Sequence, residues 1–263
     1  MIEQLQDLMR QVAQDEVMAR FGLPERGVKK DGSFCTPADV ASQERFERAL
    51  PSIRPAPVLG EEMPTDKQRQ LWRERSVEGL WVVDPIDGTT NYANGVPHFA
   101  LSVAYVAGGR SIAGAILNPV TGEMFWAVRG EGAYLGDIRL PLRKPWGGMR
   151  DSIAAVDAKY LRSGKLASRL QNLSPCGSRR SFGSTVLDWC YLAAGRFSLG
   201  LHGGQKLWDY AAGSLVFEES GGLIDTLEGD AFWSGLHVFS RSSIASATPE
   251  LRAAWLKWVR DNQ

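Results

Sequence analysis

The stretch that decides the fold is WVVDPIDGTTNYANGVPHF, residues 81–99. It begins as an apolar run typical of a buried strand, and it then places Asp84 and Asp87 three residues apart with Pro85 between them. Carboxylates this close repel each other unless one is protonated or a cation lies between them. An Asp-Pro turn followed by an Asp-Gly turn would give the same letters. The stretch by itself therefore leaves an ordinary turn and a cation site as alternatives.

The composition indicates a globular protein without a preferred charged partner. The 263 residues contain 30 Lys and Arg against 30 Asp and Glu, so no net charge favours nucleic acid or an anionic membrane. The N-terminal segment carries acids and glutamines, and no run approaches ~18 uninterrupted apolar residues, so we expect neither a signal peptide nor a membrane span. The three cysteines are widely spaced, which argues against a disulfide framework or a zinc site. We expect a cytoplasmic protein.

The first half of the chain alternates between helical and strand patterns. Apolar residues at helical spacing predict a helix over residues 2–21. Thr36, followed by a proline and then by Asp39 three residues after the cap, predicts the start of a second helix. The run GLWVVD predicts a buried strand that ends at Asp84. Between residues 99 and 135, β-rich runs separated by Gly and Asn-Pro turns predict an antiparallel meander.

A Pro- and Gly-rich linker at residues 141–150 marks a candidate domain boundary. Beyond it, SIAAVD, GLID and HVFS predict short strands. Between and after these strands we predict three helices, with N-caps at Ser184, Asp209 and Thr248. The fold class is α+β or α/β, and we expect an N-terminal subdomain over residues 1–145 and a C-terminal subdomain over 146–263 that share a cleft.

The residues that follow the two aspartates favour a cation site over an ordinary turn. Gly88, Thr89 and Thr90 are typical of a helix start or of a nest of backbone N–H groups, which is a common seat for phosphate. Carboxylate oxygens are ligands that Mg²⁺ prefers. A carboxylate pair for metal beside an N–H cradle is what phosphoryl transfer to water requires.

Two further segments supply acidic residues. Glu61 and Glu62 follow an apolar run and a glycine, where an exposed pair in a surface turn is the more common interpretation. Asp209 stands in KLWDYAAG, where a plain helix cap needs no metal. Each of these signals is weak when it is taken alone.

Together the segments GEE (60–62), DPIDGTTNY (84–92) and WDYAAGSLVFEESGG (208–222) resemble the inositol monophosphatase family of Mg²⁺-dependent, lithium-sensitive phosphomonoesterases. The similar order of elements extends over nearly the whole chain. The resemblance implies the layered α-β-α-β-α sandwich of the sugar-phosphatase superfamily, to which inositol monophosphatases and fructose-1,6-bisphosphatases belong. It also implies a homodimer.

The resemblance assigns metal ligands by position. It implies that Glu61, Asp84 and the backbone carbonyl of Ile86 hold one Mg²⁺, and that Asp84, Asp87 and Asp209 hold a second. Asp84 would then bridge the two ions, and this sharing would explain the crowded carboxylates. Some members of the family recruit a third Mg²⁺ through the glutamate and water.

The resemblance also assigns the phosphate and the attacking water. The N–H groups of Gly88 and Thr89 should bind phosphate oxygens, and the Thr89 hydroxyl should orient the water together with Glu61. Asp39 matches a family aspartate that hydrogen-bonds near this water. A capping role for Asp39 in its own helix is an equally good account, and both roles can hold at once.

The match is looser where the alcohol part of the substrate binds. The positions that should contact the substrate are Asp87, Gly183, Ser184, Thr185, His202 and Asp209. His202 stands where animal inositol monophosphatases carry a glutamate that binds a ring hydroxyl, and a lone histidine is more often a structural or surface residue. Arg179, Arg180 and Lys206 could meet a second anionic group, although a solvated basic loop is the more common explanation.

The sequence therefore predicts a Mg²⁺-dependent phosphomonoesterase for inositol-1-phosphate or a similar small polyol phosphate. The alternatives in the same superfamily are a fructose-1,6-bisphosphatase, a histidinol-phosphate phosphatase and a 3′-phosphoadenosine nucleotidase. The nucleotidases usually carry a lysine where Thr90 stands, which argues against the last of them. A different class of function is a binding module, since one bacterial relative of the family acts in transcription complexes. Zero net charge argues against direct RNA binding.

Overall fold

Two β-sheets with a pair of helices between them form the centre of the structure. The computed structural model describes residues 1–23, 27–28, 34–145, 147–157, 164–235 and 237–263. Within these residues, no helix is both long enough and apolar enough to cross a bilayer. Trp146, in the predicted linker, lies outside the described residues.

The larger sheet has seven strands, and a short antiparallel pair, β1 (Gly27–Val28) and β2 (Phe34–Cys35), precedes it. Its strands, in their order across the sheet, are β3 (Val58–Gly60), β4 (Leu80–Asp87), β5 (Ala100–Ala107), β6 (Arg110–Leu117), β7 (Met124–Val128), β8 (Gly132–Leu135) and β9 (Ile138–Arg139). Only β3 and β4 of this sheet pair in parallel; the other neighbours are antiparallel. The predicted meander is confirmed.

The smaller sheet has five strands in the order β11-β10-β12-β14-β13. Their bounds are β10 (Ile153–Val156), β11 (Ser178–Arg180), β12 (Leu199–Gln205), β13 (Leu223–Asp225) and β14 (Arg241–Ser246). Strand β10 pairs in parallel with both β11 and β12, and β14 runs antiparallel to β12 and β13.

The predicted strands SIAAVD and GLID are confirmed as β10 and β13, but the predicted strand HVFS is wrong. Residues 237–240 form a turn that the Ser240 N–H closes by donating to the His237 carbonyl, over 2.8 Å. The strand begins one residue later, at Arg241. A segment of four residues is too short for its periodicity to separate a turn from a strand.

The described residues contain eight α-helices. They are α1 (Ile2–Val12), α2 (Pro37–Ile53), α3 (Thr65–Arg75), α4 (Thr89–Ala93), α5 (Lys165–Asn172), α6 (Thr185–Ala193), α7 (Leu207–Glu219) and α8 (Pro249–Asn262). The caps predicted at Thr36, Ser184 and Thr248 are confirmed. The cap predicted at Asp209 is wrong, because the N-cap of α7 is Lys206, three residues earlier.

The N-terminal helix is less regular than predicted. It is α-helical only to Val12, widens to a π-helix over Ala13–Val17 and ends as a 3-10 turn over Met18–Arg20. The π segment brings the Val17 carbonyl to the hydroxyl of Tyr92, which donates to it over 2.7 Å. A π-turn in an otherwise regular helix commonly accompanies such a local requirement.

The order of the helical and sheet layers follows from the apolar faces that each sheet buries against helices. One face of the large sheet packs under α1 and α2, with Leu5 and Phe46 completely buried there. The other face packs on α6 and α7, which also cover the inner face of the small sheet. The outer face of the small sheet packs under α5 and α8, where Trp255 is completely buried. This is the predicted α-β-α-β-α sandwich; the division into subdomains at residue 145 stays a prediction.

The two central helices approach each other at a glycine. A Cβ built on Gly213 in α7 would lie 2.5 Å from the Cβ of Trp189 in α6, and Trp189 is itself buried. Real carbon atoms do not approach this closely, and an alanine at this position would push the two helices apart.

We predict that Gly213→Ala lowers the free energy of unfolding by about 1–3 kcal/mol because it overpacks the central layer. In an uncrowded helix the same change would raise stability by about 1 kcal/mol, so the sign of the effect is diagnostic. Urea denaturation measures it. Gly148→Ala is the control, since a Cβ there meets nothing within 4 Å. A stabilised Gly213→Ala protein would contradict the close contact.

Candidate active site

The two aspartates of the opening stretch lie at an irregularity in β4. The pairing of β4 with β5 is regular up to Asp84, which faces Ser102, and it shifts before Asp87, which faces Ala100. The strand therefore continues three residues beyond its predicted end at Asp84. An irregularity of this kind redirects side chains out of the regular alternation. Here the irregularity lets the carboxylates of Asp84 and Asp87 lie close to each other on the same side of the strand.

A third carboxylate joins them from the second half of the chain. Asp209 lies in the first turn of α7, and its Oδ2 accepts a hydrogen bond of 2.8 Å from the Lys206 N–H. Carboxylate oxygens of Asp84, Asp87 and Asp209 all lie within 4.8 Å of one another. Because Asp209 is the third residue of its helix and not the cap, its side chain turns back toward the helix start.

Burial and mutual repulsion raise the pKa values of this cluster. Asp84 is 1% exposed, and its pKa lies well above the ordinary value because of burial and the charges of Glu61, Asp87 and Asp209. Its Oδ1 is buried without a hydrogen-bond partner. A buried carboxylate oxygen without a partner, set among other carboxylates, fits a hard divalent cation such as Mg²⁺. The donor set is therefore compatible with the implied metal.

The start of α6 holds Asp87 in place. Oδ2 of Asp87 accepts hydrogen bonds from the Ser184 hydroxyl and, over 2.8 Å, from the Val186 N–H. Burial raises the pKa of Asp87 to about 6, while the bonds from Ser184, Val186 and the Thr185 backbone oppose that rise. Ser184 also caps α6 by accepting from the Leu187 N–H. The predicted alcohol-binding segment thus supports the acidic cluster directly.

A glycine immediately follows this cluster and starts α4. Gly88 has φ +89°, and a Cβ there would lie 3.1 Å from the His98 carbonyl and 3.2 Å from the Gly183 carbonyl. Both the left-handed backbone and the crowding require glycine at this position. Asn91 joins the same neighbours, since its Nδ2 donates to the carbonyls of His98 and Phe182. The first N–H groups of α4, those of Thr89 and Thr90 among them, have no partner within the helix itself.

Thr89 and Asp39 meet at the side of the cluster. The Thr89 hydroxyl lies 3.2 Å from Oδ1 of Asp39 and 2.9 Å from the Ile86 carbonyl. The other oxygen of Asp39 accepts from the N–H and hydroxyl of Thr36 in a capping box. One oxygen of Asp39 therefore belongs to the capping box and the other contacts Thr89, while its role near the attacking water stays a prediction. Burial raises the pKa of Asp39 to about 7.

Glu61 is not part of an exposed surface turn. Glu61 and Glu62 are both half-buried, and the Glu61 N–H extends the pairing with β4 by donating to the Val83 carbonyl over 3.2 Å. Gln68 in α3 donates to the carbonyls of Gly60 and Glu61, over 2.9 and 3.0 Å. The structure places Glu61 close enough to Asp84 for its charge to raise the pKa of that carboxyl.

The segment predicted to face the alcohol contains a contact that the sequence did not predict. Nε2 of His202 lies 3.5 Å from Oδ2 of Asp157 and 3.5 Å from the Thr185 hydroxyl. Its Nδ1 lies 3.2 Å from the Gly204 N–H, which donates to it. Asp157 follows β10 directly, and its main-chain N–H donates to Leu201 beside His202. Only the pairing of β10 with β12 brings these residues together.

Sequence reasoning also missed Gln43. Its Oε1 accepts from the Glu62 N–H over 2.7 Å, and it holds the loop that carries Glu61. Gln43 lies four residues after Asp39 on the buried face of α2. That spacing was the available signal, because a polar residue one turn from another buried polar residue faces the same side.

We predict that metal-free protein becomes less stable as the pH rises from 4 to 7. Below the ordinary pKa of 3.8 both folded and unfolded chains keep the Asp39 proton; above it only the folded chain does, until about pH 7. Asp39→Asn should therefore raise the unfolding temperature of EDTA-treated protein at pH 8, with a gain of up to ~4 kcal/mol that vanishes near pH 4. Differential scanning calorimetry checks this. The exposed Asp137→Asn is the control, and equal effects of both variants at pH 8 would contradict the prediction.

Comparisons with known proteins identify the family of the chain. The inositol monophosphatase family model matches residues 1–263. The inositol-1-monophosphatase of Caulobacter vibrioides is 34% identical over 273 residues, which cover 99% of each chain. The Nus factor SuhB of Pasteurella multocida is 40% identical over 231 residues, which cover 85% of this chain and 81% of that protein.

Solved structures show the same fold. The extragenic suppressor protein suhB of Bartonella henselae superposes with a TM-score of 0.84 at 26% identity, covering 100% of this chain and 99% of that one. The Thermotoga maritima IMPase superposes with a TM-score of 0.83 at 25% identity, covering 99% and 96%. The chain therefore belongs to the inositol monophosphatase family and is a phosphoric monoester hydrolase.

Proposed function

We propose that the protein is a Mg²⁺-dependent phosphomonoesterase for a small polyol phosphate, with inositol-1-phosphate as the first candidate. The observation that carries the proposal is the cluster of Asp84, Asp87 and Asp209, whose oxygens converge within 4.8 Å. A structural role does not require three like-charged groups in one place, because repulsion and burial make the cluster unfavourable without a cation.

The proposed ligands of two Mg²⁺ ions are those that the resemblance implies. Glu61, Asp84 and the Ile86 carbonyl would hold one ion, and Asp84, Asp87 and Asp209 the other; a third ion near Glu61 belongs to the same proposal. When bound, Mg²⁺ would supply Lewis acidity that acidifies water and neutralises phosphate charge. The pKa values raised by repulsion in the metal-free site would fall again beside the cations.

The chain's own groups would position the reactants. The N–H groups of Gly88 and Thr89 would donate to phosphate oxygens at the start of α4. The Thr89 hydroxyl, which contacts Asp39 over 3.2 Å, would hold the attacking water together with Glu61. The buried Asp39 would accept a hydrogen bond from this hydroxyl and so fix its orientation toward the water.

The alcohol would lie toward the start of α6. Gly183, Ser184 and Thr185 pass beside Asp87 there, and the Thr185 hydroxyl connects this segment to His202. The Nδ1 contact with the Gly204 N–H leaves the proton of a neutral His202 on Nε2. Nε2 of His202, which lies 3.5 Å from Oδ2 of Asp157, would then donate to that carboxylate in the free protein and to an alcohol oxygen when the substrate binds.

We predict that purified protein releases phosphate from inositol-1-phosphate in millimolar Mg²⁺ and not in EDTA. The panel should also include fructose-1,6-bisphosphate, histidinol phosphate and phosphoadenosine phosphate, which represent the alternative activities. Asp209→Asn should lower kcat by at least about a hundredfold because it removes a carboxylate of the metal cluster, while its metal-free form unfolds at or above the wild-type temperature. Phosphate release from none of the four substrates would refute the proposal.

We predict that His202→Ala raises KM for inositol-1-phosphate by about tenfold and leaves kcat within a fewfold, the cost of losing one hydrogen bond to the bound alcohol. Steady-state kinetics measure both constants. Phenyl phosphate, whose alcohol part has no hydroxyl, is the control substrate. An equal change in KM for both substrates would remove His202 from the alcohol site.

A binding role in transcription complexes is the second candidate function, and the relative named Nus factor SuhB favours it. It would require that Asp209→Asn retain the binding function while losing hydrolysis. The homodimer, lithium sensitivity and cytoplasmic location belong to the same set of proposals. Light scattering, inhibition by LiCl and cell fractionation test them in turn.

A further inference from the structure

The carboxylate of Asp157 lies beside the imidazole of His202 in the small sheet, outside the acidic cluster. Oδ2 of Asp157 is 3.5 Å from Nε2 of His202, and the Thr185 hydroxyl is 3.5 Å from the same nitrogen. The side chains of His202 and Asp157 are 17% and 15% exposed. This Asp157–His202 pair is therefore enclosed by the protein on most sides and is still accessible to a small ligand.

The register of the small sheet places the two groups at the same level. Strand β10 ends at Val156, which pairs with Leu201 in the parallel strand β12, so Asp157 and His202 each stand one residue further along. The Asp157 N–H donates to the Leu201 carbonyl over 3.1 Å. Ligands of open α/β sheets bind beyond the carboxyl ends of parallel strands. Backbone pairing therefore fixes Asp157 at a position where such sheets bind ligands.

The strand that carries His202 is irregular at that residue. Its pairing with β14 shifts register between His202 and Gln205, and such irregularities re-aim side chains beside binding sites. Gln205 is fixed on both sides, since its Oε1 accepts from Nε1 of Trp189 over 2.7 Å and its Nε2 donates to the Ser243 hydroxyl over 2.8 Å. The Gly204 N–H donates to Nδ1 of His202 over 3.2 Å. The imidazole is thus held with its other nitrogen toward the carboxylate.

The Asp157–His202 pair lies near the acidic cluster. Thr185, which contacts the pair, follows Ser184, whose hydroxyl donates to Asp87. Burial raises the pKa of Asp188 in α6 well above its ordinary value, and the charges of Asp87 and Asp157 raise it further. Both carboxylates therefore lie within electrostatic reach of one residue of α6. An alcohol that extends from a phosphate at the cluster along the start of α6 would reach the pair.

The pair offers one donor and one acceptor side by side. A neutral His202 carries its proton on Nε2, because Nδ1 accepts from Gly204. The Asp157 carboxylate can only accept. When Nε2 donates to an alcohol oxygen instead, Oδ2 of Asp157 loses this donor, and loss of a donor to a charged group is costly. A ligand that supplies a hydroxyl hydrogen to Asp157 at the same time removes that cost.

We propose that Asp157 is a specificity-determining residue of the alcohol site and that it selects an alcohol with two adjacent hydroxyl groups. One hydroxyl accepts a hydrogen bond from Nε2 of His202, and the next donates to the carboxylate of Asp157. A hydroxyl both donates and accepts, whereas an ammonium group only donates, so the pair matches a diol better than an amino alcohol. A site built in this way rejects ligands that lack one of the hydroxyls. The inference rests on the proposed function and names the class of alcohol that it acts on.

Steady-state kinetics with inositol-1-phosphate and phenyl phosphate test this role. Both substrates place a ring beside the phosphate, and only the first carries hydroxyls. Asp157→Ala should lower kcat/KM for inositol-1-phosphate at least about tenfold more than for phenyl phosphate, mainly through KM, since a hydrogen bond to a charged group is lost. Asp137→Ala is the matched control, because it removes an exposed aspartate from the turn between β8 and β9. Equal losses for both substrates in Asp157→Ala would overturn the proposal.

Asp157→Asn guards against a variant that does not fold. The amide has nearly the volume of the carboxylate, and it keeps one acceptor oxygen without the charge. Its kcat/KM for inositol-1-phosphate, relative to that for phenyl phosphate, should lie between the ratios of wild type and Asp157→Ala. A folded Asp157→Asn protein with the wild-type ratio would contradict a role for the charged acceptor.

The His202→Ala background separates a direct contact of Asp157 from an effect that acts through the imidazole. If Asp157 bonds the substrate itself, adding Asp157→Ala to His202→Ala should lower kcat/KM for inositol-1-phosphate by a further threefold or so, at least, relative to phenyl phosphate. No further loss would show that Asp157 only orients His202, and this result would overturn the proposal.

Two other results are decisive. Phosphate release from neither substrate in millimolar Mg²⁺ would refute the proposed function, and this inference would fall with it. Release from both substrates without a selective loss in Asp157→Ala would overturn the inference alone. Histidinol phosphate carries an ammonium group near its phosphate ester. If Asp157→Ala loses more activity on histidinol phosphate than on inositol-1-phosphate, the carboxylate serves a cation and the assignment to a diol is wrong.

Discussion

The carboxylate of Asp87 joins the two halves of the chain at the point where the acidic cluster forms. It is bonded to Ser184 and Val186, 97 and 99 residues away, and these are the first residues of a helix that lies between the two sheets. The same bonds cap α6, fix the direction of a cluster carboxylate and place the segment proposed to face the alcohol. These hydrogen bonds of Asp87 therefore fix the acidic cluster relative to helix α6 and so to the layer between the two sheets.

Apolar packing in the surrounding layers offsets the free-energy cost of burying the acidic cluster. Asp84 and Asp39 are almost completely buried beside other acids, which opposes folding of the metal-free chain. Around them lie three apolar clusters: one beneath each outer helical layer, and one that surrounds the central helices α6 and α7 and contacts both sheets. Burial of that much apolar surface is the dominant favourable contribution to folding. The unfavourable free energy of burying these carboxylates arises at the place where a bound cation would remove it.

Local chemistry predicted much of this structure. The caps at Thr36, Ser184 and Thr248 and the meander were readable, because caps and turns depend on a few adjacent residues. The convergence of Asp84, Asp87 and Asp209 followed only from the resemblance to the family. Asp209 was misplaced as a cap because the helix begins at Leu207, which makes Asp209 its third residue. The contacts of Gln43 with Glu62 and of Asp157 with His202 were not readable. They depend on which helix and which strand become neighbours, and that is decided by the whole fold.

The π-helical turn at the end of the N-terminal helix contacts the segment that carries the two aspartates. Val17 accepts the hydrogen bond of Tyr92, the last residue of the segment DPIDGTTNY, and Tyr92 also packs edge-on against Phe99. The first twenty residues are consequently not a peripheral addition to a catalytic body. They contact the short helix α4 through the bond between Val17 and Tyr92. A chain of this fold that lacks these residues must position α4 by other contacts.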